Sequence, residues 1–176
     1  DPCGESRPLP TATLDFNCHN LPMNQTYEEI VADVLELPLH RAVGIELIDS
    51  NDPARGVYVD TAERNINPLG SLHGGVVPLL LDVASYLAAA ELFEPGANAV
   101  TASNSVSLLR PVRKGQRIKV TAEVDRLGRN AFFLTARATC EDQLVATGQI
   151  VKAVIHVEAD EGAEALAEPS EISATG

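Results

Sequence analysis

One long apolar segment, residues 75–93, constrains the fold more than any other part of this sequence. Its richness in Leu and Ala favours a helix, Pro78 falls in the first turn, and Pro95 follows its end. Its residues with strong hydrogen-bonding needs are few: Asp82, Ser85, Tyr86 and Glu91. A helix that is apolar almost all round is buried on most sides. The alternative, a transmembrane span, is disfavoured because the run is short and has an acid at its middle.

After this helix the apolar pattern changes from a helical period to a period of two. Residues 117–124, 132–140 and 144–157 alternate or run apolar with short polar links, which predicts an antiparallel meander. Further strands are predicted before these, at residues 43–49, 56–61 and 99–109. We therefore expect an α+β fold, in which a curved antiparallel sheet of about five to six strands wraps one long central helix. Since one sheet cannot close over both sides of a helix, we expect a second subunit to cover the remaining face.

The 176 residues suit one domain with a tail at each end. Residues 1–25 carry four prolines and no periodicity, so we expect an irregular N-terminal arm. Thr26 and Glu29 have capping-box spacing, which predicts a short helix that ends before Pro38. The domain itself is expected to span residues 26–157. Residues 158–176 hold six acids and no base, and we expect a frayed helix or a disordered acidic tail.

The net charge of −12 argues against nucleic-acid binding, but the charge is uneven. Residues 110–129 hold two acids and seven bases: Arg110, Arg113, Lys114, Arg117, Lys119, Arg126 and Arg129. This excess predicts a site for a small polyanion; the alternative is a solvated strand face with alternating charges. Three cysteines make no disulfide framework, and no secretory signal pattern opens the chain, so we expect a cytoplasmic protein.

Two features upstream of and within the helix are chemically unusual. The carboxylate of Asp82 is costly on so apolar a helix unless it is paired, hydrogen-bonded or used; the alternative is a solvent-facing edge. His73-Gly74-Gly75 could expose backbone N–H groups at a helix N-terminus as an oxyanion site, or could be a plain helix-entry turn. Asp82 lies nine residues beyond His73, about two and a half helical turns. That is too far for a shared atom within one subunit, but a cleft between two subunits could bring the two together.

The pattern Asn67-x5-His73-Gly74-Gly75-x6-Asp82, followed by Leu109-Arg110-Pro111, resembles the PaaI-like hotdog-fold acyl-CoA thioesterases of the phenylacetate-pathway type. The resemblance covers roughly residues 40–156. It implies that Asp82 acts as nucleophile or general base and that the Gly74 backbone N–H polarises the thioester carbonyl. It further implies that Asn67 orients water or the acyl group, that His73 holds the loop or contacts the thioester, and that Thr101 places a hydroxyl near the attacking group. In such enzymes the acid and the loop come from different subunits.

The same resemblance assigns coenzyme A, part of the substrate, to basic residues. Arg129 and Lys152 match frequent phosphate contacts of the family, Arg113 and Lys114 are candidates by charge alone, and Gly75 allows close approach of the backbone. For any one of these cations, the alternative is a plain surface charge. We expect no metal and no other cofactor, because the histidines are scattered and no zinc or nucleotide pattern occurs.

The function predicted is hydrolysis of an acyl-CoA thioester to a free acid and coenzyme A by a homodimer, or by a homotetramer built as a dimer of dimers. The alternative is a non-catalytic acyl-CoA-binding hotdog module that serves as a sensor or scaffold. The presence of both Asp82 and Asn67 favours catalysis, because a binder needs neither. No membrane and no nucleic-acid partner is expected, and the acyl group is not predicted.

Overall fold

A computed structural model describes residues 25–156 of the chain as a curled six-stranded antiparallel sheet around a central helix. The predicted N-terminal arm and acidic tail lie outside the described residues, apart from Gln25. Within residues 25–156 the helices are α1 (Tyr27–Glu36), α2 (Pro38–Val43) and α3 (Val76–Ala90), and the strands are β1 (Ile45–Leu47), β2 (Val57–Asp60), β3 (Ala97–Leu108), β4 (Arg117–Leu127), β5 (Ala131–Cys140) and β6 (Gln143–His156). The predicted fold class is confirmed.

The central helix α3 is buried by the sheet, as its apolar composition predicts. Ten of its 15 residues are buried, and it packs on β3, β4, β5 and β6. At one point the sheet comes so close that a side chain would not fit easily. A Cβ atom at Gly148 of β6 would lie 3.1 Å from the Ser105 carbonyl oxygen and 3.2 Å from a methyl of Leu81. No helix formed by residues 25–156 is long and apolar enough to cross a membrane.

The strands follow the order β1-β2-β4-β5-β6-β3, and all neighbours are antiparallel. The predicted period of two holds: the inward positions of β5 are all buried, namely Phe132, Leu134, Ala136, Ala138 and Cys140. The strand that follows α3 along the chain, β3, lies at one edge of the sheet and pairs there with β6. Most of β3 is exposed, so a long strand edge remains open within the described part of the chain.

The region around Pro38 differs from the prediction. Helix α1 ends at Glu36, but Pro38 also begins a second short helix, which takes up Val43 and leaves only Ile45–Leu47 as a strand. The reason is that proline lacks the N–H that a helix interior needs, whereas the first turn of a helix needs no such donor. Gly44, with φ of 83°, ends the second helix.

Candidate active site

The loop that leads into α3 is anchored by a buried asparagine. The Asn65 side-chain amide donates to the carbonyl oxygens of Val43 at 3.2 Å and Asp60 at 3.0 Å. The backbone carbonyl of the same residue accepts the His73 N–H at 2.8 Å. Asn65 therefore ties α2 and β2 to the start of the His-Gly-Gly segment. This anchoring role of Asn65 was not predicted from the sequence.

Asn67, predicted to orient water or the acyl group, first of all organises its own turn. Its Oδ1 accepts the N–H groups of Leu69 at 2.9 Å and Ser71 at 3.2 Å, and its Nδ2 donates to the Ser71 hydroxyl at 3.0 Å. Asn67, Ser71 and Gly74 also line a cavity of about 280 Å³, with apolar walls from β3, the segment before β4 and β6. The amide thus lies where a small acyl group or a water molecule would fit.

His73 and Gly74 complete this half of the site. The His73 Nδ1 accepts the Gly75 N–H at 3.0 Å, so Nδ1 carries no proton and a neutral ring carries its proton on Nε2. Within residues 25–156 the Gly74 N–H has no hydrogen-bond acceptor. It therefore remains available at the entrance to α3, where the helix dipole favours negative charge. A Cβ atom at Gly74 would lie 3.3 Å from a methyl of Leu108, so the close approach favours glycine.

A second polar group, which we name the acid cluster, consists of Asp82, Thr101 and Lys152. The Lys152 Nζ donates to the Asp82 Oδ1 at 2.9 Å and to the Thr101 Oγ1 at 2.8 Å, and the Thr101 hydroxyl donates to the same Asp82 oxygen at 2.8 Å. The Lys152 side chain is 2% exposed and the Asp82 side chain 27%. Burial lowers the pKa of Lys152, and the neighbouring Asp82 carboxylate opposes that shift.

The β-sheet register brings the acid cluster together. Thr101 on β3 pairs directly with Lys152 on β6, and a register shift follows between Thr101 and Ser103. Two further bonds join β3 to α3: the Tyr86 hydroxyl donates to the Asn98 Oδ1 at 2.7 Å, and Asn104 donates to the Pro78 carbonyl oxygen at 3.1 Å. Together with the Thr101–Asp82 bond, they form what we call the polar seam between helix and edge strand. The seam fixes Asp82 on the one partly exposed stripe of α3.

The structure corrects the predicted place of Lys152. A phosphate contact needs an accessible cation, whereas this ammonium is buried and bonded to Asp82 and Thr101. The alternation of residues along β6 already indicates this burial. Lys152 continues the inward positions of β6 that Gly148 and Ile150 occupy, so alternation alone placed its side chain beside the central helix. The centroid of the Tyr86 ring lies 5.4 Å from the Lys152 ammonium, a contact that was not predicted from the sequence.

The predicted basic patch is not one surface within a subunit. Arg113 and Lys114 precede β4 and Arg129 follows it, so an 11-residue strand of about 35 Å separates them. Lys114 forms an ion pair with Glu63, and Arg117 within the strand forms one with Asp60. Arg129 lies in the turn between β4 and β5, where it lines a second cavity of about 280 Å³ with Leu92, Phe93, Phe132, Val154, His156 and four further residues.

A single chain presents the predicted catalytic residues as two separate groups. The lining of the cavity at Asn67 and Gly74 includes neither Asp82 nor Thr101 among the described residues. Asp82 is the seventh residue of α3, about 9 Å along the axis from its first. Gly75, predicted to contact coenzyme A, is exposed at the N-terminus of that helix. Within residues 25–156 no three His, Cys, Asp or Glu side chains are grouped as metal ligands.

Comparisons with known proteins agree with this architecture. A family model described as the thioesterase superfamily matches residues 69–147. A mouse protein named acyl-coenzyme A thioesterase 13 is 30% identical over 134 residues, which cover 74% of this chain and 95% of that protein. The PaaI protein from the phenylacetic acid degradation operon of Escherichia coli has a TM-score of 0.64 at 22% identity, covering 73% of this chain and 92% of PaaI. A Bacillus halodurans protein solved with CoA has a TM-score of 0.61 at 20% identity, covering 73% and 83%.

Proposed function

This chain belongs to the thioesterase superfamily, and from that premise we propose that Asp82 and the Gly74 backbone N–H together hydrolyse an acyl-CoA thioester. Acyl-CoA thioesterase activity follows from the family; the roles of individual residues are the proposal. The observation that carries it is the pairing of two features: a carboxylate held at the one partly exposed stripe of α3, and a backbone N–H without an acceptor among the described residues at that helix's start. Acyl transfer needs both an attacking group and an oxyanion donor.

Asp82 can act by either of two routes. As a general base it removes a proton from water while the water oxygen attacks the thioester carbonyl carbon. As a nucleophile it attacks that carbon itself, and water then hydrolyses the resulting mixed anhydride. In both routes the carbonyl oxygen gains negative charge that the Gly74 N–H stabilises, the C–S bond breaks, and coenzyme A leaves as the thiolate. His73, which caps Gly75 through Nδ1, keeps the Gly74 N–H in place for this step.

The site needs a second subunit to bring its two groups together. Two surfaces suit that contact: the open edge of β3, and the partly exposed stripe of α3 that carries Leu79, Asp82 and Tyr86. A long unpaired strand edge is a template for pairing with another strand. A symmetric dimer could then set Asp82 of one chain against Asn67, His73 and Gly74 of the other, with two sites per dimer. Pairing of two such dimers, and a cytoplasmic location, remain predictions.

Coenzyme A binding rests on the exposed cations. Arg129 lies beside a cavity with apolar walls and carries a charge suited to the CoA phosphates. Arg113 and Lys114 lie at the opposite end of β4, so they contribute to the same nucleotide only if the partner subunit brings the two ends together. Lys152 is no longer part of this set. The Bacillus halodurans protein, solved with CoA, supports coenzyme A as the ligand of this fold.

A hydrolysis screen over short, long and aromatic acyl-CoA thioesters tests the proposal, with Asp82→Asn as the control. The substitution is nearly isosteric, so the fold is expected to survive. Loss of a general base or nucleophile should lower kcat by about 10³-fold. Circular dichroism and the melting temperature confirm folding. A folded Asp82→Asn protein with near-native turnover would refute the catalytic role and leave the non-catalytic acyl-CoA-binding module as the better explanation.

A further inference from the structure

The acid cluster contains a buried cation that donates to both other members of the cluster. The Lys152 ammonium donates to Asp82 and Thr101, and the centroid of the Tyr86 ring lies 5.4 Å from it. The Thr101 hydroxyl accepts from Lys152 and donates to Asp82, so the donor and the acceptor of each hydrogen bond among the three residues are defined. Two of the three N–H donors of the ammonium are thus used within the cluster, and the side chain is 2% exposed, which disfavours a contact with a ligand phosphate.

Stability alone does not account for this lysine. Burial disfavours its charged form, and only the Asp82 carboxylate opposes that effect. Replacing a buried ion pair by apolar residues is often neutral or stabilising. The preceding inward position of the same strand holds an apolar residue, Ile150, which is fully buried. The charge of Lys152 therefore calls for an explanation other than packing.

We propose that Lys152 is a positioning residue for Asp82: it holds the carboxylate by Oδ1, so that Oδ2 is the oxygen that attacks the thioester or takes the proton from water. This inference rests on the hydrolysis proposed above, because it names the reacting atom of that same site. Lys152 itself touches no substrate in this scheme.

The two carboxylate oxygens of Asp82 are not equivalent. Oδ1 accepts both the ammonium of Lys152 and the hydroxyl of Thr101. Oδ2 accepts no hydrogen bond within residues 25–156. Rotation of the carboxylate would break two charge-assisted bonds, so the free oxygen is held in one direction.

Charge matters as much as direction. When an acyl-CoA covers the site, water leaves, and the charges that remain interact more strongly. The buried ammonium at 2.9 Å then supplies the counter-charge that holds the Asp82 carboxylate in place for either route. Removal of the charge should therefore slow the chemical step without weakening uniform binding of the substrate.

The test compares Lys152→Met, which keeps the length of the side chain but removes its charge, with Arg137→Met. Arg137 is an exposed strand cation on β5 and serves as the matched control. We expect Lys152→Met to lower kcat by about 100-fold with KM within about threefold of native, and Arg137→Met to change neither. Lys152→Gln is a second neutral variant with the same expectation, in case Lys152→Met fails to fold.

A double variant shows whether Lys152 acts through Asp82. In the Asp82→Asn background, Lys152→Met should cause no further loss of kcat, because the carboxylate that it positions is absent. An equal loss in both backgrounds would overturn the inference, as would native-like kcat in both folded neutral variants. A raised KM for acyl-CoA that disappears with a pantetheine thioester would also overturn it, by restoring the phosphate contact. Near-native turnover of Asp82→Asn would instead refute the proposed function, so the two failures are distinguishable.

Discussion

The two halves of the candidate site are built in opposite ways. In the loop half, Asn67, Ser71, His73 and Gly75 bond to one another across two to four residues of sequence, and the groups involved are neutral. In the acid cluster, the bonds join residues 19, 51 and 70 positions apart, on a helix and two strands, and two of the groups are charged. The loop half is therefore a local structure, whereas the acid cluster exists only when the whole sheet is in register.

This difference predicts different responses to substitution. A neutral hydrogen bond in a partly exposed loop contributes about 1 kcal/mol, and its loss is felt locally. Removing one partner of a buried ion pair costs about 3–5 kcal/mol, because the remaining charge is uncompensated. Because Asp82 remains partly exposed, we expect breaking its ion pair with Lys152 to cost less than that range. We expect substitutions in the loop half to alter activity more than stability, and those in the acid cluster to alter both.

Mixing of inactive subunits is expected to give the largest effect, because it recovers activity from near zero. Co-refolded Asp82→Asn and Asn67→Ala chains form a mixed dimer with one doubly damaged site and one intact site. With random pairing, recovery should approach about a quarter of native activity. If the two halves of one chain formed each site, no activity would return even with mixed dimers confirmed by mass.

Loosening the loop half should have the next largest effect. Asn67→Ala removes the acceptor for two backbone N–H groups, and we expect kcat to fall by about 100-fold with little change in melting temperature. Ser71→Ala is the matched control, since it removes one hydroxyl and leaves both of those backbone bonds. If kcat fell as far in Ser71→Ala as in Asn67→Ala, the two backbone hydrogen bonds to Asn67 would not explain its contribution to activity.

The proposed contact of Arg129 with the CoA phosphates should affect substrate binding and not the chemical step. We expect Arg129→Ala to raise KM for acyl-CoA by about tenfold and to leave kcat nearly unchanged, because phosphates far from the reacting bond contribute uniform binding. Arg137→Ala, on an exposed position of β5, serves as the control. With a pantetheine thioester the Arg129 effect should vanish. Equal losses on both substrates would place Arg129 elsewhere in the mechanism.

The smallest effect is expected from an exposed ion pair that belongs to neither half. The hydrogen bond from Arg117 lowers the pKa of Asp60. Because the pKa is lower in the folded state, the stability that the pair contributes is present above about pH 4, where an unfolded Asp ionises, and is lost as the pH falls through the folded value. In Asp60→Asn, the melting temperature should therefore depend slightly less on pH below about pH 4 than it does in the native protein. A change in kcat would contradict the assignment.

The same contrast explains how much the sequence could predict. The Asn67-to-Gly75 loop is contiguous, so its spacing identified it, and the period-two pattern identified the inward face of β5. Lys152 was assigned to coenzyme A from the family resemblance. Its partners are 51 and 70 residues away in sequence, and they come near only through the pairing of β3 with β6 and the packing of α3 on the sheet. The basic excess was misjudged for a related reason: residues close in sequence were separated by the length of β4. Counting charges along the sequence takes no account of the length of the strand that separates them.

The position of β3 also has a consequence for synthesis on the ribosome. Among the described strands it pairs with β6 alone, with Ala97 opposite His156. Asp82 and Thr101 are therefore made well before Lys152, and the nascent chain carries an unneutralised carboxylate on an apolar helix until the final described strand emerges. Pairings this distant in sequence form slowly, since loop closure precedes any gain in contacts. A ribosome-bound chain that stops before β6 should thus present α3 to chaperones.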